Sequence, residues 1–229
     1  MKEQSILLTI AIVGGTGKEG KGLAYRWSKA GYRVVVGSRI AEKARTAALD
    51  LNELLGGKAY VEGMNNLKAV QTADIIILTV PYSAHREILE NLKGALKGKI
   101  LVDVTVPLIP PKITKVQMPA AGSAAQEAAE ILGKDTPVVA AFQNISYEHL
   151  LNDSPINSDV LVCGSNNEAR QEVIKLVEAA GLTGWDAGPL ENAVVVEGMT
   201  SILIGINKKY GGTSAGIRIT GVEPPSHRK

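Results

Sequence analysis

A glycine cluster sits where the chain changes periodicity, and it restricts the fold more than any other feature. Residues 7–13 form an apolar run of strand length, and residues 20–29 carry Leu23, Ala24 and Trp27 at helical spacing. Between them stands Gly14-Gly15-Thr16-Gly17-Lys18-Glu19-Gly20-Lys21-Gly22, in which Gly15, Gly17 and Gly20 fill the pattern G-x-G-x-x-G. Such a strand-to-helix junction suits a pyrophosphate. Glycine permits the tight turn and the close approach of backbone N–H groups, and the positive end of the helix faces the same phosphates. The pattern alone is common; its place between a strand and an amphipathic helix makes it specific. The competing reading is a glycine-rich turn without a ligand.

The rest of the chain repeats the alternation. Strands are expected at 33–36, 60–61, 75–79, 100–104 and 138–141, and helices at 41–55, 83–92 and 123–132. Residues 107–119 form an irregular proline-rich passage. A further β-α-β unit at 160–163, 168–180 and 184–187 should extend the same sheet. The fold class is therefore α/β: a Rossmann-type, doubly wound, mostly parallel sheet with a small C-terminal helix-plus-strand extension. At 229 residues and about 150 per domain, one large domain with an appendage fits best. We divide it as 1–187, a dinucleotide-binding domain with a sub-boundary near 150; 188–221, a C-terminal substrate or dimerisation segment; and 222–229, a loose tail with Pro224-Pro225. The helix expected at 192–209 is apolar nearly all round, so it is either a core helix or a subunit interface. A final strand is expected at 217–220.

The second strand ends by choosing the dinucleotide. An NAD site places Asp or Glu about 20 residues past the glycines to hold the ribose 2′-OH. Here the strand ends Val36-Gly37-Ser38-Arg39, without a carboxylate. Arg39 offers a fork for a 2′-phosphate, Ser38 a hydroxyl, and Lys43 a cation one helical turn on. These favour NADP, unless Arg39 and Lys43 are ordinary solvated charges. Later strand ends should converge on the nicotinamide, through Thr79-Val80-Pro81-Tyr82, Asp103-Val104-Thr105-Val106-Pro107 and Phe142-Gln143-Asn144-Ile145.

Several function classes fall away. The formal charge of +2 gives no electrostatic case for nucleic acid or an anionic membrane. The longest uncharged run, 4–17, is short of the ~20 residues a spanning helix needs, and the N-terminus lacks a signal-peptide cleavage site, so a cytoplasmic protein is expected. His85, His149 and His227 are scattered without metal-ligand spacing, and His85 reads as solvated in a first helical turn. Cys163, the single cysteine, reads as a small buried hydrophobe. No metal site and no catalytic acid–base residue is expected, so the chain looks equipped to bind a cofactor and position it. Aromatic residues are only 4% of the chain, so a flat ring would rest on aliphatic side chains, proline and backbone.

Residues 14–22 (GGTGKEGKG), 35–39 (VVGSR), 78–81 (LTVP), 122–132 (GSAAQEAAEIL) and 163–193 (CGSNNEA…DAGPLENA) together resemble the NADPH-dependent reductases of the deazaflavin coenzyme F420. The resemblance covers nearly the whole chain. It implies hydride transfer between nicotinamide C4 and deazaflavin C5 in a homodimer, with NADP and F420 as the small-molecule partners. It further implies that Thr16, Ser38, Arg39 and Lys43 hold the 2′-phosphate end, and that Thr79–Pro81 and Gln143–Ile145 lie along the nicotinamide and deazaflavin. The candidate cofactor residues are thus Gly15, Thr16, Gly17, Lys18, Glu19, Gly20, Ser38, Arg39, Lys43, Thr79, Val80, Pro81, Gln143, Asn144 and Ile145. Two places depart from the family pattern. Glu19 stands where an apolar residue is expected beside the pyrophosphate, and Gln143-Asn144 stand where a His-Thr pair can precede the family's Ile. The alternatives are an NADPH-dependent reductase of a flavin, ferric chelate or small carbonyl, and a non-catalytic NADP-binding redox sensor.

Overall fold

Eight strands form one sheet in the order β3-β2-β1-β4-β5-β6-β7-β8 in the computed structural model, which describes residues 8–223. The expected tail at 222–229 lies mostly outside the described residues, as does the start of the first expected strand. The strands are β1 (Thr9–Val13), β2 (Arg33–Ser38), β3 (Val61–Asn65), β4 (Ile75–Leu78), β5 (Ile100–Asp103), β6 (Val138–Ala140), β7 (Asp159–Gly164) and β8 (Thr183–Pro189). All neighbours pair parallel except β6 with β7. The helices are α1 (Lys18–Lys29), α2 (Ala41–Leu55), α3 (Asn66–Thr72), α4 (Tyr82–Leu96), α5 (Ala124–Leu132), α6 (Asn167–Ala179) and α7 (Ala193–Tyr210).

Residues 10–13 of β1 and 75–78 of β4 are apolar without alternation because both sheet faces are covered. One core joins Ile10, Ile12, Leu23, Trp27, Leu51 and Val177; the other joins Ala11, Val13, Ile76, Leu89, Leu96 and Ala128. Strand order reverses between β1 and β4. At that switch point the loops leaving the carboxyl ends diverge to opposite faces and open a crevice.

Two expectations need correction. The third strand is longer than the expected pair at 60–61, and α3 follows it. Gly63 hid the strand, yet glycine is required there: a Cβ would come within 2.3 Å of the Ala44 carbonyl oxygen of α2. The start of α3 was legible as a cap, since the Asn65 side chain accepts from Lys68 N at 2.9 Å. The segment 217–220 forms no strand. It makes one backbone bond, Asp159 N to the Ile217 carbonyl at 2.8 Å, while Ser158 Oγ and Asp159 Oδ2 accept from Ile217 N and Ile219 N. Side-chain acceptors there replace the ladder. Helix α7, expected as a core helix or a subunit interface, is covered on one side: Val195, Ile202 and Ile206 are 63%, 53% and 42% exposed, while Ala193, Val196 and Leu203 are buried. Among the described residues no helix is long and apolar enough to cross a membrane.

Candidate functional site

The three glycines of the first βα turn serve three separate geometric needs. A Cβ on Gly15 would lie 2.8 Å from the Ile12 carbonyl oxygen, and Gly15 N bonds to the carbonyls of Ile12 and Gly37, so this residue makes the tight turn. A Cβ on Gly20 would lie 2.6 Å from Gly15 Cα and 2.9 Å from Thr79 Oγ1, so this one lets α1 pack on the sheet. Gly17 differs. Its Cβ would meet only the Gly14 carbonyl oxygen at 3.8 Å, because it faces open space. The first turn of α1 has Gly17 as its N-cap and no side-chain cap, leaving N–H donors turned toward that space. A cradle that a side chain would fill, lined by free amides at a helix start, fits a pyrophosphate.

The space is a cleft of about 890 Å³ along the carboxyl ends of β1, β2, β4, β5 and the segment after β6. Every candidate cofactor residue lines it except Gly15, which lies beneath the turn. At one end Ser38 is buried and its Oγ accepts from Ile40 N, while Arg39 and Lys43 are exposed and form no ion pair among the described residues. Cations left free beside a hydroxyl suit a phosphate. At the other end Thr79, Val80 and Pro81 face Gln143, Asn144 and Ile145. Phe142, just before them, has φ 74°, uncommon for a bulky residue, and is held by Trp27 edge-on at 5.7 Å.

The structure adds residues that sequence reasoning missed. Asn66 and Tyr147 line the cleft, and Thr200 and Leu203 bring α7 into its wall, beside Tyr82 and Thr105 of the expected strand ends. No spacing rule marks such residues, which come from distant elements. Lys18 Nζ stands 4.8 Å over the Tyr147 ring, across the mouth. Thr200 Oγ1 donates to the Gln143 carbonyl at 2.8 Å, tying α7 to the segment after β6.

His85, expected in solvent, is fully buried, with Nε2 2.7 Å from Asp103 Oδ2. Burial opposes its charge, but the Asp103 carboxylate outweighs that and holds the imidazole above its usual value. Glu197 of α7 is also fully buried and accepts from Ala124 N and Ala125 N at the start of α5. Burial, with Asp103 adding to it, pushes its carboxyl up to about 8. Tyr82 donates to Glu127 Oε2 at 2.8 Å, and burial together with that bond pushes its phenol up to about 12. Cys163 is fully buried, as its reading as a small hydrophobe anticipates, and desolvation pushes its thiol up to about 11. Among the described residues no group of three or more His, Cys, Asp or Glu is placed to hold a metal.

Sheet order, glycine turn and cleft together define a Rossmann-type dinucleotide-binding oxidoreductase. The family described as NADP oxidoreductase, coenzyme F420-dependent, matches residues 9–107. The F420-dependent NADP reductase of Methanocaldococcus jannaschii is 41% identical over 224 residues, covering 94% of this chain and 100% of that one. That of Methanothermobacter thermautotrophicus is 39% identical over 222 residues, covering 94% and 96%. A crystal structure from Arthrobacter sp. FB24, provisionally described as an F420-dependent NADP reductase, superposes with TM-score 0.77 at 19% identity, covering 93% of this chain and 99% of that chain. That last likeness bears on the fold alone. The chain belongs to the F420-dependent NADP reductase family.

Proposed function

We propose that this protein transfers a hydride between NADP(H) and the deazaflavin coenzyme F420. The observation that carries the reading is Gly17 opening onto a cleft that has Arg39 and Lys43, unpaired among the described residues, at one end and the Thr79–Pro81 and Gln143–Ile145 walls at the other. Bound NADP(H) supplies or accepts the hydride at its nicotinamide C4. The α1 amides and Lys18 hold the pyrophosphate, and Ser38, Arg39 and Lys43 hold the 2′-phosphate. Val80, Pro81, Ile145 and Leu203 keep water from the ring end, so the reaction depends on orientation at about 3–3.5 Å. Few aromatic planes are available for stacking, and aliphatic side chains and backbone do this work.

We further take 1–187 as the NADP-binding domain and 188–221 as the segment that closes the cleft and dimerises. Thr200, Leu203, Thr213 and Ala215 lining the cleft support the first role, and the exposed apolar face of α7 supports the second. On this reading the protein is a cytoplasmic homodimer. Following NADPH consumption with F420, a flavin, a ferric chelate and a small carbonyl tests the assignment. Turnover with F420 is expected; turnover with a flavin and none with F420 overturns it.

A further inference from the structure

Hydride reduction of a ring also consumes a proton, and one carboxyl in the cleft has no partner among the described residues. Glu19 lies in the first turn of α1, lines the cleft, is half-buried, and forms no ion pair or hydrogen bond among the described residues. Its helix shows where it faces. Gly22 and Arg26, three and seven residues on, share its face. Gly22 is pressed on the loop after β6, where a Cβ would come within 2.3 Å of Leu150 Cβ. Arg26 donates to the carbonyls of His149 and Leu150 at 2.8 and 3.1 Å. That face of α1 therefore abuts residues 145–150, and Glu19 is its member at the cleft. The neighbouring wall is short of partners too. Gln143 Oε1 and both amide atoms of Asn144 are buried without a hydrogen bond among the described residues. Buried polar atoms left unpaired on a cleft wall point to a ligand with a polar edge.

We propose that Glu19 is a catalytic residue of this chain, donating its carboxyl proton to a ring nitrogen of the second substrate as hydride reaches that ring, and accepting it back in reverse. This rests on the F420 reading above. The C4–H bond of the nicotinamide breaks and its electron pair forms the C–H bond at deazaflavin C5. Electron density moves through the conjugated ring to N1, where the Glu19 O–H proton is received. The nicotinamide is oxidised, the deazaflavin is reduced, and the Glu19 carboxylate regains a proton from solvent.

Desolvation alone pushes this carboxyl up to about 8, so the acid form is present at neutral pH. The charged groups around it among the described residues leave it unpaired. Lys18 stands over Tyr147, and Lys21 is held by Asp50 at 2.8 Å. Glu148 and His149 lie on the facing loop, and Arg39 and Lys43 lie at the phosphate end. A neutral acid also avoids repelling a pyrophosphate, as a carboxylate would.

The test uses the full chain and the Glu19→Gln and Glu19→Asp variants. In carboxyl-labelled protein without cofactor, one glutamate resonance absent from Glu19→Gln should titrate near 8. With F420 and NADPH, wild-type kcat should fall as pH rises through that value. Glu19→Gln should lower kcat by roughly 10²-fold, lose this limb, and leave KM for NADPH within a few fold. Glu19→Asp should restore the limb. The proposal is overturned by a Gln variant that keeps the wild-type rate and limb, by titration in the ordinary carboxylate range, or by an effect confined to KM for NADPH. If wild type itself does not turn over F420, the functional assignment fails and takes this step with it; if wild type turns over and the variant matches it, only the role of Glu19 fails.

Discussion

His85 of α4 and Asp103 at the end of β5 are joined at 2.7 Å with both side chains fully buried. Asp103 is a hub for the cleft. Its Oδ1 accepts from Thr105 N at 3.0 Å and its carbonyl accepts from Gln143 Nε2 at 2.8 Å, so one residue aligns the ends of β5 and β6. Removing one partner of a buried pair strands the other, and His85→Leu should cost about 3–5 kcal/mol in denaturant unfolding. The folded imidazole titrates above its unfolded value of 6.5. Its contribution is therefore full below that value and is lost as pH rises through the folded one. The gap between wild type and His85→Leu should shrink with rising pH; a gap that widens would refute the pairing.

Gly17 and Gly20 should respond in opposite ways to a side chain. Gly17→Val meets no protein atom closer than ordinary contact, so unfolding should be unchanged while NADPH affinity collapses. Gly20→Val drives carbon into Gly15 and Thr79, and should cost about 1–3 kcal/mol of stability. Calorimetric titration beside thermal unfolding separates them.

Arg39 should carry the choice between dinucleotides. Arg39→Ala should lose about 1.5–3 kcal/mol of the preference for NADPH over NADH, the worth of a hydrogen bond to a charged group. Kd values for both cofactors check this, and a variant that discriminates as well as wild type removes Arg39 from the site.

Cys163 should resist alkylation. Its thiol is buried on β7 and pushed up to about 11, so almost no thiolate exists at neutral pH. Mass spectrometry after iodoacetamide treatment of the native protein should find it unmodified, and denaturation should expose it.

If α7 dimerises the protein, charge on its exposed stripe should separate the subunits. Val195 and Ile202 are seven residues apart on one helical face. Val195→Glu with Ile202→Glu should give a monomer by light scattering; a wild-type monomer, or a variant of unchanged mass, argues against that surface.

Much of the site was legible because its residues are close in the chain. Gly15, Gly17 and Gly20 are needed by one turn, and Ser38, Arg39 and Lys43 follow a single strand, so spacing alone groups them. Asn66, Tyr147 and Thr200 were not legible, since each reaches the cleft from a separate element. His85 was misread for the same reason. A first-turn helical histidine is ordinarily solvated, and only the packing of α4 against the end of β5 buries it beside Asp103.

Periodicity and glycine placement by themselves determined the α/β architecture and the glycine turn between β1 and α1, because local backbone geometry suffices for each. Tertiary structure alone decided how charge is handled inside the protein. Whether Glu19, His85 and Glu197 sit in water or away from it depends on which distant surfaces cover them. Desolvation and the nearest opposite charge then set their protonation, and neither can be read along the chain.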